Sequence, residues 1–178
     1  LRPPGLLELE ELLAAHLDER FAHRAGPHWS DLEALANLGG RAHHNFHVFA
    51  VYPWVGMLRA GYSEEPLRVL DSCRVRWGTV TAVTGGATVT VRSRPLSWDG
   101  RALALAPAIE EQVRSALDAE EPEPAGGLRV GDRVALHWSW VCDVLDSDRL
   151  ARLQHCTATQ LRLVNTALGR PVAARLLG

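Results

Sequence analysis

Between Val75 and Val91 the chain alternates with a period of two, which commits this part of it to a β-sheet. Val75, Trp77, Thr79, Thr81 and Val83 alternate with other residues, Gly85-Gly86 follows, and Val89 and Val91 interleave with Thr88 and Thr90. Such a period puts alternate side chains on one face, and β-branched residues suit a pleated surface. Two glycines supply the positive φ of a tight turn, so the stretch reads as a hairpin. Ser97-Trp98-Asp99-Gly100 is a second turn signal, with Leu103 and Leu105 as a strand after it. Ile109, Val113 and Leu117 recur every four residues and suggest a helix. Glu120 to Gly127, rich in Pro, Glu and Gly, reads as a loop. Leu128 to Val144 returns to β character, with Gly131-Asp132 as its turn. Asp146 and Ser147 cap a last helix whose apolar residues Leu150, Leu153, Leu161, Val164 and Leu168 are helically spaced.

Before Asp71 the texture is helical. Leu6, Leu9, Leu13, Leu17 and Phe21 form one apolar stripe over residues 6–22, and Gly26-Pro27 ends it. Ser30 caps a short helix carrying Leu32, Leu35 and Leu38. Residues 42–58 are nearly continuously apolar after their histidines, and period alone leaves buried helix and buried strand equally open. Pro53 interrupts regular structure there, since its nitrogen donates no hydrogen bond. Ser63, Glu64 and Glu65 start a helix toward Leu70. The expected class is α+β: a helical extension over 1–70, a small β-barrel over 71–146 with an inserted loop near 106–127, and a C-terminal helix and tail over 147–178.

The length of 178 residues suits one domain, or one domain with a substantial extension, and the six tryptophans help supply a core. Net charge is −2, and all 19 basic residues are scattered arginines, so no nucleic-acid footprint is visible. Three widely spaced cysteines argue against a disulfide framework and for a reducing, cytoplasmic setting. No run approaches the roughly 18 apolar residues of a membrane span. No signal peptide is visible. A first residue of Leu1 rather than methionine fits a piece of a longer chain.

Two segments carry the candidate chemistry, Cys73-Arg-Val-Arg-Trp-Gly78 and Val130-Gly-Asp-Arg-Val-Ala-Leu-His137. A thiol and an imidazole at the ends of barrel strands can meet and hold a soft metal. Arg74 and Arg76 are expected to lower the pKa of Cys73. On spacing alone the bland readings weigh more: Cys73 as a small buried hydrophobe and His137 as a satisfied core residue. His43, His44 and His47 form a denser cluster, in which His43 and His47 share a helix face. His44 stands where a zincin motif needs glutamate, which disfavours a metalloprotease. Cys142, His155 and Cys156 lack paired zinc-site spacing. Of Trp138 and Trp140, on the strand expected after Gly131, one is read as core and the other as a partner surface. No phosphate loop, nucleophile elbow or dinucleotide fingerprint is present, and no catalytic residue is assigned.

In order and spacing the two segments resemble the HypC/HupF family of hydrogenase maturation chaperones. The matching residues are Cys73, Gly78-Thr79-Val80, Val130 to His137, Trp140, Leu145-Asp146 and the helix from Asp148, so the resemblance spans about 71–168. The first seventy residues resemble a module of uncharacterised actinobacterial proteins. The family resemblance implies an OB-like barrel that carries iron bearing cyanide and carbon monoxide. It also implies a HypD-like scaffold and the large subunit of a nickel–iron hydrogenase as partners. Cys73 would be an iron ligand and His137 its neighbour, as ligand or orienting donor. The chain departs from the family in its internal cysteine, in Ser139 where glycine is usual, and in the long stretch from Pro95 to Gly127. Two further readings stand beside this one. In the first, a metal-free interaction module docks through Trp138, Trp140 and residues 46–58. In the second, a small metal-dependent enzyme uses His43, His44 and His47 with Cys73.

Overall fold

The computed structural model describes residues 43–52, 54–83, 87–115 and 127–169. The expected helices over 6–22 and after Ser30, the Gly85-Gly86 turn and most of the loop from Glu120 lie outside the described residues.

The sheet expectation holds. Strands β1 (Arg76–Val83), β2 (Thr88–Ser93), β5 (Ile109–Ser115), β6 (Arg133–His137) and β7 (Trp140–Val144) close into a barrel in the order β1-β2-β5-β7-β6. Antiparallel β1 and β6 close it, with Arg76 opposite Leu136, and β5 and β7 run parallel. Val80, Val89, Val91, Val113, Leu128, Val134, Leu136 and Val141 fill the interior. The inward set of β1 is Arg76, Gly78 and Val80, one register step from Val75, Trp77 and Thr79. Gly78 is required there, because a Cβ would run into the side chain of Val91 and close on the Arg92 carbonyl. The close packing of β2 against β1 at this point leaves room for hydrogen only.

Three expectations are corrected. Residues 109–115 are the central barrel strand β5, not a helix, and they cannot belong to an inserted loop over 106–127. A spacing of four keeps residues on one face of a strand as well as a helix, which is why Ile109 and Val113 misled. Residues 116–126 of that loop lie outside the described residues, and the addition to the barrel among the described ones is a hairpin, β3 (Leu96–Trp98) and β4 (Leu103–Leu105), paired with each other in a separate sheet. Trp138 and Trp140 do not share a strand: Trp138 sits in the β6–β7 turn at φ 54°, and both rings are 41 % exposed, so neither is core.

The described part of the 42–58 stretch, residues 43–52 and 54–58, is mainly helical. A short α1 (His44–Phe46) runs into a π-helical turn over His47–Val51, and Tyr52 is extended, as suits a residue before Pro53. Helices α2 (Trp54–Arg59) and α3 (Glu64–Cys73) follow. Helix α4 (Ser147–Leu168) starts as expected at Asp146, whose carboxylate accepts from the Arg149 N–H at 2.7 Å. The helix is not a separate unit. Val48, Phe49, Leu58, Leu70, Leu96, Leu103 and Val164 form one second core, joining the helical extension, the β3–β4 hairpin and α4. Among the described residues no helix is long and apolar enough to cross a membrane.

Polar side chains lock this layer in place. Asn165 of α4 accepts from Leu103 N–H and donates to Leu103 C=O, both at 2.8 Å, which pins the helix to β4. Asp71 takes two bonds from buried Arg74, at 2.9 and 3.0 Å, and one from the Leu96 N–H at 2.8 Å. Arg74 also donates to the Arg94 carbonyl at 2.6 Å. The pair therefore ties the end of α3 to the start of β3 by satisfying buried polar groups on both.

Candidate metal centre

Cys73 is the last residue of α3, and His137 is the last residue of β6. The thiol thus leaves a helix end rather than the strand end expected of it. The two residues still meet, and they are joined by His44 of α1. One ligand atom from each of His44, Cys73 and His137 lies within 4.8 Å of the others. The His44 Nε2 is 3.9 Å from Cys73 Sγ, and the His44 and His137 rings stand edge to face with centroids 5.0 Å apart.

Three backbone anchors produce this convergence. Asn45, next to His44, binds Val75 at two points: its amide donates to the Val75 carbonyl at 3.1 Å and its oxygen accepts from the Val75 N–H at 2.7 Å. The side chain replaces a neighbouring strand for Val75 and fixes α1 beside the end of α3. The Trp138 N–H donates to the Ser72 carbonyl at 2.7 Å, holding the end of β6 against α3. Pairing of Trp77 with Ala135 and Arg76 with Leu136 then sets the height of His137. A left-handed backbone on a bulky residue such as Trp138 costs on the order of 1–2 kcal/mol. The bond to Ser72 is the contact that offsets it, and strain of this kind gathers at sites where position matters.

The electrostatics suit a ligand better than a nucleophile. Burial pushes the Cys73 thiol pKa up. The expectation that Arg74 and Arg76 lower it is not met. Arg74 is committed to Asp71, and Arg76 pairs with Glu111 at 2.7 Å inside the barrel mouth. An activated cysteine needs nearby positive charge, and both guanidinium groups here are turned to carboxylates rather than to the thiol. Burial, with repulsion from His44 and Arg76 and against an opposing hydrogen bond to the Cys73 backbone, lowers the pKa of His137, which favours the neutral imidazole that coordinates a metal. Its Nε2 is buried with no hydrogen-bond partner. Arg76, Ser115, Thr157 and Gln160 also carry such an atom, and what sets His137 apart is its place beside a thiol and a second imidazole, where a ligand can satisfy it. His44 is exposed, and its Nε2 donates to the Cys73 carbonyl at 2.7 Å.

The histidine cluster divides in a way helical spacing did not indicate. His44 joins the site. His43 caps α1, its Nδ1 accepting from the Phe46 N–H at 3.2 Å, while its Nε2 meets the amide of Gln160 on α4 at 3.3 Å. Burial lowers the pKa of His43, with His44 and His47 adding to the effect. The four-residue pair His43 and His47 is therefore not the pair that reaches Cys73. Cys142 is exposed on β7, and Cys156 is half-buried on α4.

Residues 7–171 match the model of a family of unknown function, DUF6390, and the chain belongs to that family. No curated protein matches the chain. No solved structure matches it.

Proposed function

We propose that the protein is a HypC-like metallochaperone, an assembly factor for nickel–iron hydrogenase that holds iron bearing cyanide and carbon monoxide through Cys73 and His137. The observation that carries this reading is the meeting of those two residues, 64 positions apart, with the His137 Nε2 buried and without a hydrogen-bond partner. The strand order β1-β2-β5-β7-β6, with its single parallel pair among the described strands, supports an OB-like barrel. A thiolate is a soft donor suited to iron loaded with π-acceptor ligands. The Cys73 thiol gives up its proton on binding, the bound cation taking the place of the positive charge that the arginines do not provide. The His137 Nε2 offers its lone pair directly, or orients the cargo from beside it. Exposure on the His44 side leaves an approach for a HypD-like scaffold and for the hydrogenase large subunit. Three free cysteines suit a reducing, cytoplasmic location.

The test is co-expression with the maturation scaffold, followed by iron analysis and infrared spectroscopy of the purified protein. The reading expects cyanide and carbonyl stretching bands in wild type and their loss in Cys73→Ala. Full iron loading and intact bands in that variant would overturn it.

One observation favours a second reading, a metal-free docking module. Trp138 and Trp140 are exposed at the β6–β7 turn, with the Arg114 guanidinium 5.6 Å from the Trp140 ring centre. Exposed tryptophan and arginine together are frequent anchors of protein interfaces. Partner capture that survives a chelator, and is lost in a Trp138→Ala/Trp140→Ala variant, marks this reading. The enzyme reading, with His44 beside Cys73, predicts turnover that a thiol-modifying reagent abolishes. The raised thiol pKa weighs against it, since a nucleophilic cysteine works as the thiolate.

A further inference from the structure

We infer that His44 completes a three-ligand centre with Cys73 and His137, and that this centre binds a bare divalent transition-metal ion of the zinc class. The inference rests on the same two residues as the carrier reading and adds a ligand from α1, outside the segment that carries the HypC resemblance. One sulfur and two imidazole nitrogens with a fourth position open is the ligand count of an exchangeable or reactive zinc site, rather than a sealed structural one.

The distances fit. With Zn–S near 2.3 Å and Zn–N near 2.05 Å, a tetrahedral centre separates sulfur from nitrogen by about 3.6 Å. The His44 Nε2 lies 3.9 Å from Cys73 Sγ, and the widest separation in the group is 4.8 Å or less. Closure requires side-chain movements of a few tenths of an ångström up to about 1 Å, on a framework already fixed by Asn45 and by the Trp138 bond to Ser72. The buried His137 Nε2, which has no hydrogen-bond partner, supplies the second nitrogen.

Without metal, His44 is held by its bond to the Cys73 carbonyl. On binding, the His44 proton moves from Nε2 to Nδ1, the bond to the carbonyl is released, and the Nε2 lone pair goes to the metal. The Sγ–H bond of Cys73 breaks, its proton leaves to solvent, and an Sγ–metal bond forms. No electron is transferred, and one proton is released per ion bound. His44 is thus a latch: the same ring holds the cysteine backbone in the free protein and the metal in the loaded one. Its exposure places it on the side from which an ion enters and leaves.

The experiment is a cobalt(II) titration of the purified, metal-free full chain, read by optical absorption. Wild type is expected to bind one ion with a thiolate-to-cobalt charge-transfer band and the intense visible bands of four-coordinate cobalt. His44→Ala removes an exposed side chain, and circular dichroism checks that the fold stays. Supporting contacts around a metal are typically worth 10–100-fold in affinity, so loss of a direct ligand should weaken binding by at least about 100-fold. His44→Gln retains an N–H for the Cys73 carbonyl and should lose affinity nearly as much, which separates ligation from a structural role. Cys73→Ala should abolish the charge-transfer band. Wild-type affinity and spectrum in both His44 variants, or no binding by wild type, overturns the inference. Cyanide and carbonyl bands in co-expressed protein alongside unaltered cobalt affinity in His44→Ala would sink this inference and keep the carrier reading. Tight, His44-dependent cobalt binding without those bands would do the reverse.

Discussion

The barrel and the helical layer on it are held by different physics, and the candidate centre lies on the seam between them. The barrel is closed by backbone ladders on all sides, and its interior is a set of valines and leucines. The helical layer has an apolar core of its own, built from Val48, Phe49, Leu58, Leu70, Leu96, Leu103 and Val164. Its position is fixed by side chains that bond to backbone: Asn45 to Val75, Asp71 to Leu96 and Asn165 to Leu103. Apolar packing is non-directional and tolerates sliding, whereas a two-point amide clamp allows one position only. A layer that delivers one ligand to a barrel that delivers another needs that directional kind of attachment.

The helical layer is most vulnerable at Asp71. Asp71→Ala leaves Arg74 buried without its counter-charge and Leu96 N–H without its acceptor, at a cost of about 3–5 kcal/mol. Thermal unfolding should show the loss, with the helical layer opening first in amide hydrogen exchange. Equal loss of protection in barrel and layer would mean that they do not behave as two differently held parts. On the barrel side, Leu136→Ala removes a fully buried side chain and should cost about 2–5 kcal/mol in denaturant unfolding. A change below about 1 kcal/mol would show that the barrel interior collapses around the vacancy.

Asn45→Ala sharpens the contrast, because it touches the seam alone. Two bonds to Val75 are lost and a buried N–H is left open, for about 2–3 kcal/mol. Cobalt affinity should fall with it, since His44 loses its anchor. Unchanged affinity would mean that α1 is positioned by packing rather than by the clamp. Least in size is an acid effect at the hairpin tip. Asp99 accepts from the Ala102 and Arg101 N–H groups, which lowers its pKa below the ordinary 3.8. Its folded-state pKa is depressed, so its contribution is present above the unfolded value and is lost as pH falls through the lowered one. Amide signals of Arg101 and Ala102 should report that loss, and Asp99→Ala should remove the pH dependence.

How far the sequence could be read follows the same division. Period-two alternation located β1 and β2, and the Asp146 cap located α4, because each signal is local and the structure uses it locally. Val113 deceived for lack of a second cue, since every fourth residue shares a face in a strand too. Trp138 and Trp140 deceived because a turn formed without glycine or asparagine, at a positive φ carried by tryptophan itself. The meeting of Cys73 with His137 was visible only through the order of motifs. His44 was in view as one of three histidines, but helical spacing favoured His43 with His47. What selects His44 is the bond of its neighbour Asn45 to a residue 30 positions away, which no local pattern encodes. Arg74 and Arg76 lie near Cys73 in sequence, yet their charges turn inward to Asp71 and Glu111.

Side chains from α1, α3 and β6 meet across the seam in one candidate centre. X-ray absorption at the zinc edge, on the full chain loaded with a single equivalent, counts those ligands directly. The account predicts one sulfur and two imidazole nitrogens in the coordination shell, falling to one imidazole in His44→Ala. A shell of oxygen and nitrogen without sulfur, or a wild-type shell with no change on losing His44, would contradict it.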